Sequence, residues 1–197
     1  IFNALNSIQT FMMKSETEQA LAYLNRFARL IRSVLDHSQQ NTIPISKEVN
    51  MLENYIELEK LRFADQFDYK IIIDPAIDSD FTEILTMIIQ PFIENAIWHG
   101  LLHKKEQGRL LLSFTKMQDR ILCVIEDNGI GREKSAALKQ LSGYTHASRG
   151  LQITRDGLAL YNNRFNMDAS FDIEDLFDAE GQPAGTRVNL WFPLVED

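Results

Sequence analysis

Two hydrophobic periods divide this chain. Up to about residue 64, apolar positions recur three and four apart. Leu5, Ile8 and Phe11-Met12 make one stripe; Leu21, Leu24, Phe27-Ala28, Ile31 and Val34-Leu35 make a second. That spacing gathers them on one face of a helix. The polar run Lys14-Ser15-Glu16-Thr17-Glu18 separates the two, and Asn41-Thr42-Ile43-Pro44-Ile45-Ser46 ends the second. Ser46 offers an N-cap for a third helix, which is expected to reach about Phe63.

From residue 65 onward the pattern changes to short apolar runs. Strands are expected at 67–73, 109–115, 121–126, 169–173 and 187–192, with helices near 82–100 and 150–165. A connection as short as Met117-Gln118-Asp119 calls for antiparallel pairing. The expected class is α+β: a helical hairpin over residues 1–64, then a two-layer α/β sandwich over 65–197 with a mixed, largely antiparallel sheet. A lone hairpin buries too little surface, so its stripes are expected to pair with a second copy as a four-helix bundle. The other option is packing on the second domain. The stretch 132–149 is polar and has no clear period; a connection of that length is usually functional or mobile.

Composition narrows the partners. The 197 residues carry 20 basic and 28 acidic side chains, a net charge of −8. That speaks against a nucleic-acid surface and an anionic membrane surface. The single Cys123 excludes a disulfide framework and a cysteine metal cluster. No run of 18 apolar residues and no signal peptide is present in this sequence.

Candidate chemistry sits in two stretches. Asp127-Asn128-Gly129-Ile130-Gly131 follows the apolar run 121–126. A strand ending in an acid and alternate glycines leaves one carboxylate at a pocket mouth and lets the main chain approach a flat ligand. A carboxylate only accepts hydrogen bonds, so it selects a donor such as the exocyclic amine of adenine. A plain hairpin turn is the alternative, since Asn-Gly also forms two-residue turns. The second stretch is Gln90-Pro91-Phe92-Ile93-Glu94-Asn95-Ala96-Ile97-Trp98-His99-Gly100. Apolar Phe92, Ile93, Ala96 and Ile97 face a core, and Glu94, Asn95, Trp98 and His99 share another face. An amide oxygen beside a carboxylate suits Mg²⁺ with phosphates and waters completing its shell.

Together these stretches resemble the sensor histidine kinases of the LytS type, within the GHKL ATPase superfamily. Glu94-Asn95-Ala96 with His99-Gly100 is similar to the family's N box, and Asp127 to Gly131 to its first glycine box. Gly185-Thr186 before the strand at 187–192 is similar to its last glycine box. Ile1-Phe2-Asn3-Ala4-Leu5-Asn6 resembles the end of the phosphoacceptor motif, and 52–63 resembles the linking helix. The family's phosphorylated histidine would fall two positions before Ile1. A piece lacking it should bind nucleotide without phosphorylating itself. His37, His99, His103 and His146 lie outside that motif.

The resemblance implies a Bergerat-type ATP-binding domain using ATP and Mg²⁺. Asn95 would hold the metal; Glu94 would orient or deprotonate the incoming imidazole as the catalytic residue, the alternative being a structural or Mg²⁺-shell carboxylate. Asp127, Gly129 and Gly131 would surround adenine. Arg149, Gly150 and Leu151 would face the phosphates, Thr186 would lie near the base, and His99 would also line the site. It further implies a homodimer through the N-terminal helices, a response regulator as phosphoryl acceptor, and a cytoplasmic kinase portion whose membrane segments lie elsewhere. Stretch 132–149 would be the lid. The sequence departs from the family there: His146-Ala147-Ser148-Arg149-Gly150-Leu151 keeps only the last glycine of the second box. Trp98 and Gly157 stand where relatives often carry Lys and Arg, each removing a possible phosphate cation. A GHKL-type scaffold or ATPase without histidine phosphorylation is the alternative. Pro91 and Gln90 occupy the positions where hydrolytic relatives carry their base, which argues against the ATPase.

Overall fold

The five apolar runs of the second half form one sheet in the computed structural model, which describes residues 2–37, 39–63, 66–142, 148–165 and 167–194. Three helices come first: α1 (Phe2–Met13), α2 (Thr17–His37) and α3 (Ile45–Arg62), with the short strand β1 (Thr42–Pro44) before α3. Then follow β2 (Phe67–Ile73), β3 (Glu83–Leu85), α4 (Gln90–Asn95), β4 (Gly108–Lys116) and β5 (Arg120–Asp127). The chain continues with α5 (Gly131–Ser142), α6 (Ser148–Phe165), β6 (Ser170–Phe177) and β7 (Pro183–Pro193).

The sheet order is β2-β4-β5-β7-β6. β2 runs parallel to β4, and every other neighbour is antiparallel. The mixed, mainly antiparallel α+β arrangement expected from the sequence is the one observed. One face of β5 is buried through Ile121, Cys123, Ile125 and Asp127. It packs against Phe92, Ile93, Ala96 and Ile97 in one core cluster. The opposite face is the more polar one: beside half-buried Leu122, Val124 and Trp191 it carries Arg187, which meets Glu126 at 2.7 Å, and Asn189, which donates to Glu174 at 2.8 Å. A sheet apolar on one side and polar on the other is what a two-layer stack requires.

α3 serves both halves. Its Ile45, Val49, Leu52 and Ile56 belong to the sheet's core cluster, while Leu58 joins Phe11, Ala20, Tyr23 and Leu30 in a smaller one.

Three sequence expectations are corrected here. The helix expected near 82–100 begins only at Gln90. Residues 83–85 pair with β1, Ile84 opposite Ile43, and Met87 has a positive φ of 58°. The Glu48 carboxylate accepts the Met87 amide at 3.1 Å, and Pro91 fits the first turn that follows. Ser46 does not cap α3. The helix starts at Ile45 after Pro44, and its first amides donate to carbonyls of Thr82 and Ser79. In α2, Ala20, Tyr23 and Leu30 are buried within the chain, whereas Leu21, Leu24 and Leu35 of the stripe expected to meet a second copy are exposed. Finally, the stretch read as aperiodic holds α5. Of residues 131–138 only Gly131 and Ser135 are buried. Neither is a large hydrophobe, so no apolar period betrayed the helix.

Candidate nucleotide-binding site

The site begins at the end of β5. Asp127 pairs with Thr186 of β7 on one side and Leu110 of β4 on the other. The chain then turns into α5, so Asn128-Gly129 is no hairpin. Instead the Asn128 side chain accepts the Arg109 amide at 2.6 Å, and Lys104 Nζ donates to the Asn128 carbonyl at 2.8 Å. Gly129 donates its amide to Asp127 Oδ1 at 2.8 Å. This fixes the carboxylate at the strand's end, only 4% exposed. Burial pushes its pKa up to about 7; the Gly129 and Thr186 amides pull the other way without offsetting it.

Close main-chain approach explains two of the glycines. A Cβ on Gly129 would lie 2.5 Å from Gly100 Cα, and one on Gly185, whose φ is +143°, would lie 1.9 Å from the Asp127 carbonyl oxygen. Three segments therefore converge on Asp127 with no room for side chains between them.

The opposite wall comes from α4 and its continuation. Residues Ala96–Gly100 form a single π turn, followed by a 3-10 turn at Leu101–His103. Residues four apart share a face, so Asn95 with His99 and Glu94 with Trp98 form two neighbouring pairs. Asn95 and His99 line the cavity that Asp127 closes; Glu94 and Trp98 do not. Glu94 Oε1 accepts from Gln90 Nε2 at 2.8 Å, and Trp98 Nε1 donates to Tyr55 Oη of α3 at 3.2 Å. The common face expected for Glu94, Asn95, Trp98 and His99 is thus two faces. Trp98 does not line the cavity, and neither does Gly157, exposed on α6 with no atom within 4 Å of its ideal Cβ.

The cavity measures about 220 Å³. Ile125, Val188, Ile173 and Phe92 supply apolar walls, and Asn95, His99, Asp127 and Thr186 supply polar groups. Gly131 and Leu151 also line it. Pockets that enclose a whole drug-sized ligand run to roughly 300–1,000 Å³. This one has room for a planar heterocycle and leaves attached groups at the mouth. Arg149 and Gly150 fall in the first turn of α6, but their surroundings, like residue His146, lie outside the described residues.

Sequence reasoning missed Arg132, Ser135 and Ala136, which line the same cavity from α5. Arg132 is held by a two-pronged bond to Asp175 of β6, at 2.7 and 2.6 Å. That bond also holds the Asp175 carboxyl below its usual range. The signal for Ser135 was its spacing: four residues after Gly131 is one helical turn.

A divalent cation fits this donor set in one way only. Among the described residues, no cluster of three or more His, Cys, Asp or Glu side chains could hold a metal. Asn95 offers one amide oxygen. That suits Mg²⁺, which keeps waters and takes phosphate oxygens in place of an all-protein cage.

Comparison with known proteins agrees with these motifs. Residues 1–67 match the family model described as histidine kinase. Sensor protein LytS of Staphylococcus saprophyticus is 28% identical over 98% of the chain, and that of Oceanobacillus iheyensis 29% over 98%. The chain spans about a third of those relatives: 31% and 32% of their lengths. The mycobacterial sensor histidine kinase MprB shares the fold, with a TM-score of 0.52 at 13% identity over 79% of this chain and 98% of that one. Among the described residues no helix is long and apolar enough to cross a membrane. Along nearly its whole length the chain is similar to the LytS sensor proteins, and its first third matches the histidine kinase family model.

Proposed function

We propose that this chain is the kinase portion of a two-component sensor histidine kinase. It binds ATP with Mg²⁺ and passes the γ-phosphate to a histidine just upstream of Ile1, from which a response regulator takes it. One observation carries the reading: Asp127 and Asn95, from separate sequence motifs, line a single cavity sized for a base.

In this reading the adenine amine donates to the Asp127 carboxylate, and Gly129 and Gly131 let the backbone pass beneath the ring. Thr186 and Leu151 flank the base. Asn95 gives its oxygen to Mg²⁺, which when bound neutralises phosphate charge. His99 lies one turn from Asn95 on the same wall. Arg149, and the amides at the start of α6 around Gly150, meet the phosphates. Glu94 acts as general base for the incoming imidazole. Its placement supports that role over hydrolysis. It lies off the cavity, on the side toward Tyr55 and Glu59 of α3, the helix that joins the site to the helical region.

The helical region 1–64 supplies the dimer in this proposal. Leu21, Leu24 and Leu35 of α2 and Met12 and Met13 of α1 present exposed apolar surface that a second copy would cover. Membrane attachment comes from segments outside this sequence, and the portion here is cytoplasmic.

Labelled γ-phosphate tests the reading in a longer protein that includes the residues before Ile1. Label on protein, lost when the upstream histidine is changed, is the expected outcome. Free phosphate alone would mean an ATPase, and nucleotide binding with neither would mean a scaffold.

A further inference from the structure

Trp98 is absorbed by neither wall of the cavity, yet it lies in the π turn between Asn95 and Gly100, beside His99. Its indole N–H donates to the Tyr55 hydroxyl at 3.2 Å. Tyr55 in turn hydrogen-bonds Glu59 one turn further along α3. The Arg62 guanidinium lies 4.4 Å from the Trp98 ring centre, within cation–π range. Phe63 meets the same ring edge-on at 5.3 Å. Tyr55 and Arg62 of α3 and Phe63 just after it thus converge on one side chain of the turn that carries the site.

The junction is more polar than packing needs. Glu59 is 6% exposed, and its Oε2 faces Arg62 Nη1 at 3.9 Å, with neither atom otherwise hydrogen-bonded. Buried polar atoms left open in this way call for a reason beyond filling space. A π turn is also a costly local geometry that persists only where neighbours hold it.

We propose that Trp98 is a positioning residue: through Tyr55 and Arg62 it sets the π turn, and with it Asn95 and His99, according to where the end of α3 lies. The connection gives the helical region a direct grip on one wall of the cavity. It leaves the other wall, Asp127 and Thr186, on the sheet. The role assigned to Asn95 rests on the nucleotide reading; the mechanical link does not.

The test uses Tyr55→Phe, which deletes the hydroxyl's hydrogen bonds to Trp98 and Glu59 and keeps the ring, and Trp98→Phe, which deletes the indole N–H and leaves a smaller aromatic ring. Amide hydrogen exchange in the ligand-free protein should quicken at least tenfold at residues 96–100 and stay unchanged at 121–125. With nucleotide, ATP–Mg²⁺ affinity should fall three- to tenfold while adenosine affinity holds, because only the Asn95 wall moves. Unchanged exchange at 96–100 in both variants overturns the proposal. So does faster exchange across the sheet as well, which would mean general destabilisation. If the unmodified protein binds no nucleotide, the exchange result still decides the link, and it is the cavity's assignment that fails.

Discussion

The Asp127 carboxylate occupies the space a side chain at position 100 would need: a Cβ on Gly100 would come within 2.7 Å of Asp127 Oδ1. The N-box helix and the first glycine box touch through this absent side chain. Gly100→Ala must displace either the carboxylate or the turn. Overpacking of this kind costs about 1–3 kcal/mol. We expect ATP affinity to fall more than tenfold, read by titration with a fluorescent ATP analogue. Full affinity in the variant would mean the carboxylate is not a nucleotide contact.

Asp127→Asn keeps the shape and the acceptor for the Gly129 amide but loses the charge. A hydrogen bond to a charged group contributes roughly 1.5–3 kcal/mol, so affinity should drop more than tenfold at pH 8. With the carboxyl's pKa pushed up to about 7, the difference should narrow as pH falls to 6, since the wild-type group then gains a proton. The ratio of the two proteins' affinities cancels the nucleotide's own titration. A ratio flat between pH 6 and 8 would contradict the assignment.

Stability should vary with pH in a definite sense. Burial raises Glu48, Glu59 and Asp127 each to about 7. An acid whose folded pKa exceeds its unfolded one binds more protons when folded. The stability it contributes is fully present below about pH 4 and is lost as pH rises through 7. Each group contributes a slope of at most about 1.4 kcal/mol per pH unit. Urea denaturation at pH 5, 6, 7 and 8 should show the decline, and Glu48→Gln should flatten it and leave the protein more stable at pH 8.

Arg132→Ala removes the clamp between α5 and β6. The pair is partly exposed, so its own worth is small, about 0–1 kcal/mol. The larger effect is on α5 as a cavity wall. We expect the melting temperature to move little and ATP affinity to fall three- to tenfold. A large melting shift with unchanged affinity would place Arg132 in stability alone.

Gly157 offers a control outside the site. It sits within α6, exposed, with free space around its ideal Cβ. Gly157→Ala should stabilise by about 0.8–1 kcal/mol and leave nucleotide affinity unchanged. A loss of affinity would show that this face of α6 reaches the site after all.

Much of this was legible from residue order. Strands alternate with period two, and β2 matched its expected bounds because Phe67–Ile73 is bounded by polar residues. Asp127 and Asn95 were found through motif spacing, and they line one cavity. What stayed hidden depended on contacts distant in sequence. Ser46 looked like a cap, but carbonyls of residues 79 and 82 reach the helix start first. Residues 83–85 looked helical, but β1 claims them as a strand. Asn95 with His99, and Glu94 with Trp98, are pairs four apart on adjacent helical faces, and only the contacts with α3 and the sheet decide that the first pair faces the cavity and the second does not.

Cys123 sits fully buried in the middle of β5, between Phe114 of β4 and Leu190 of β7, and burial holds its thiol protonated. As the sole sulfhydryl in the sequence, it can act as an internal clock. A thiol-specific dye can mark it only when the centre of the sheet parts, so the rate of modification would time whole-molecule opening and be blind to fraying at the rim.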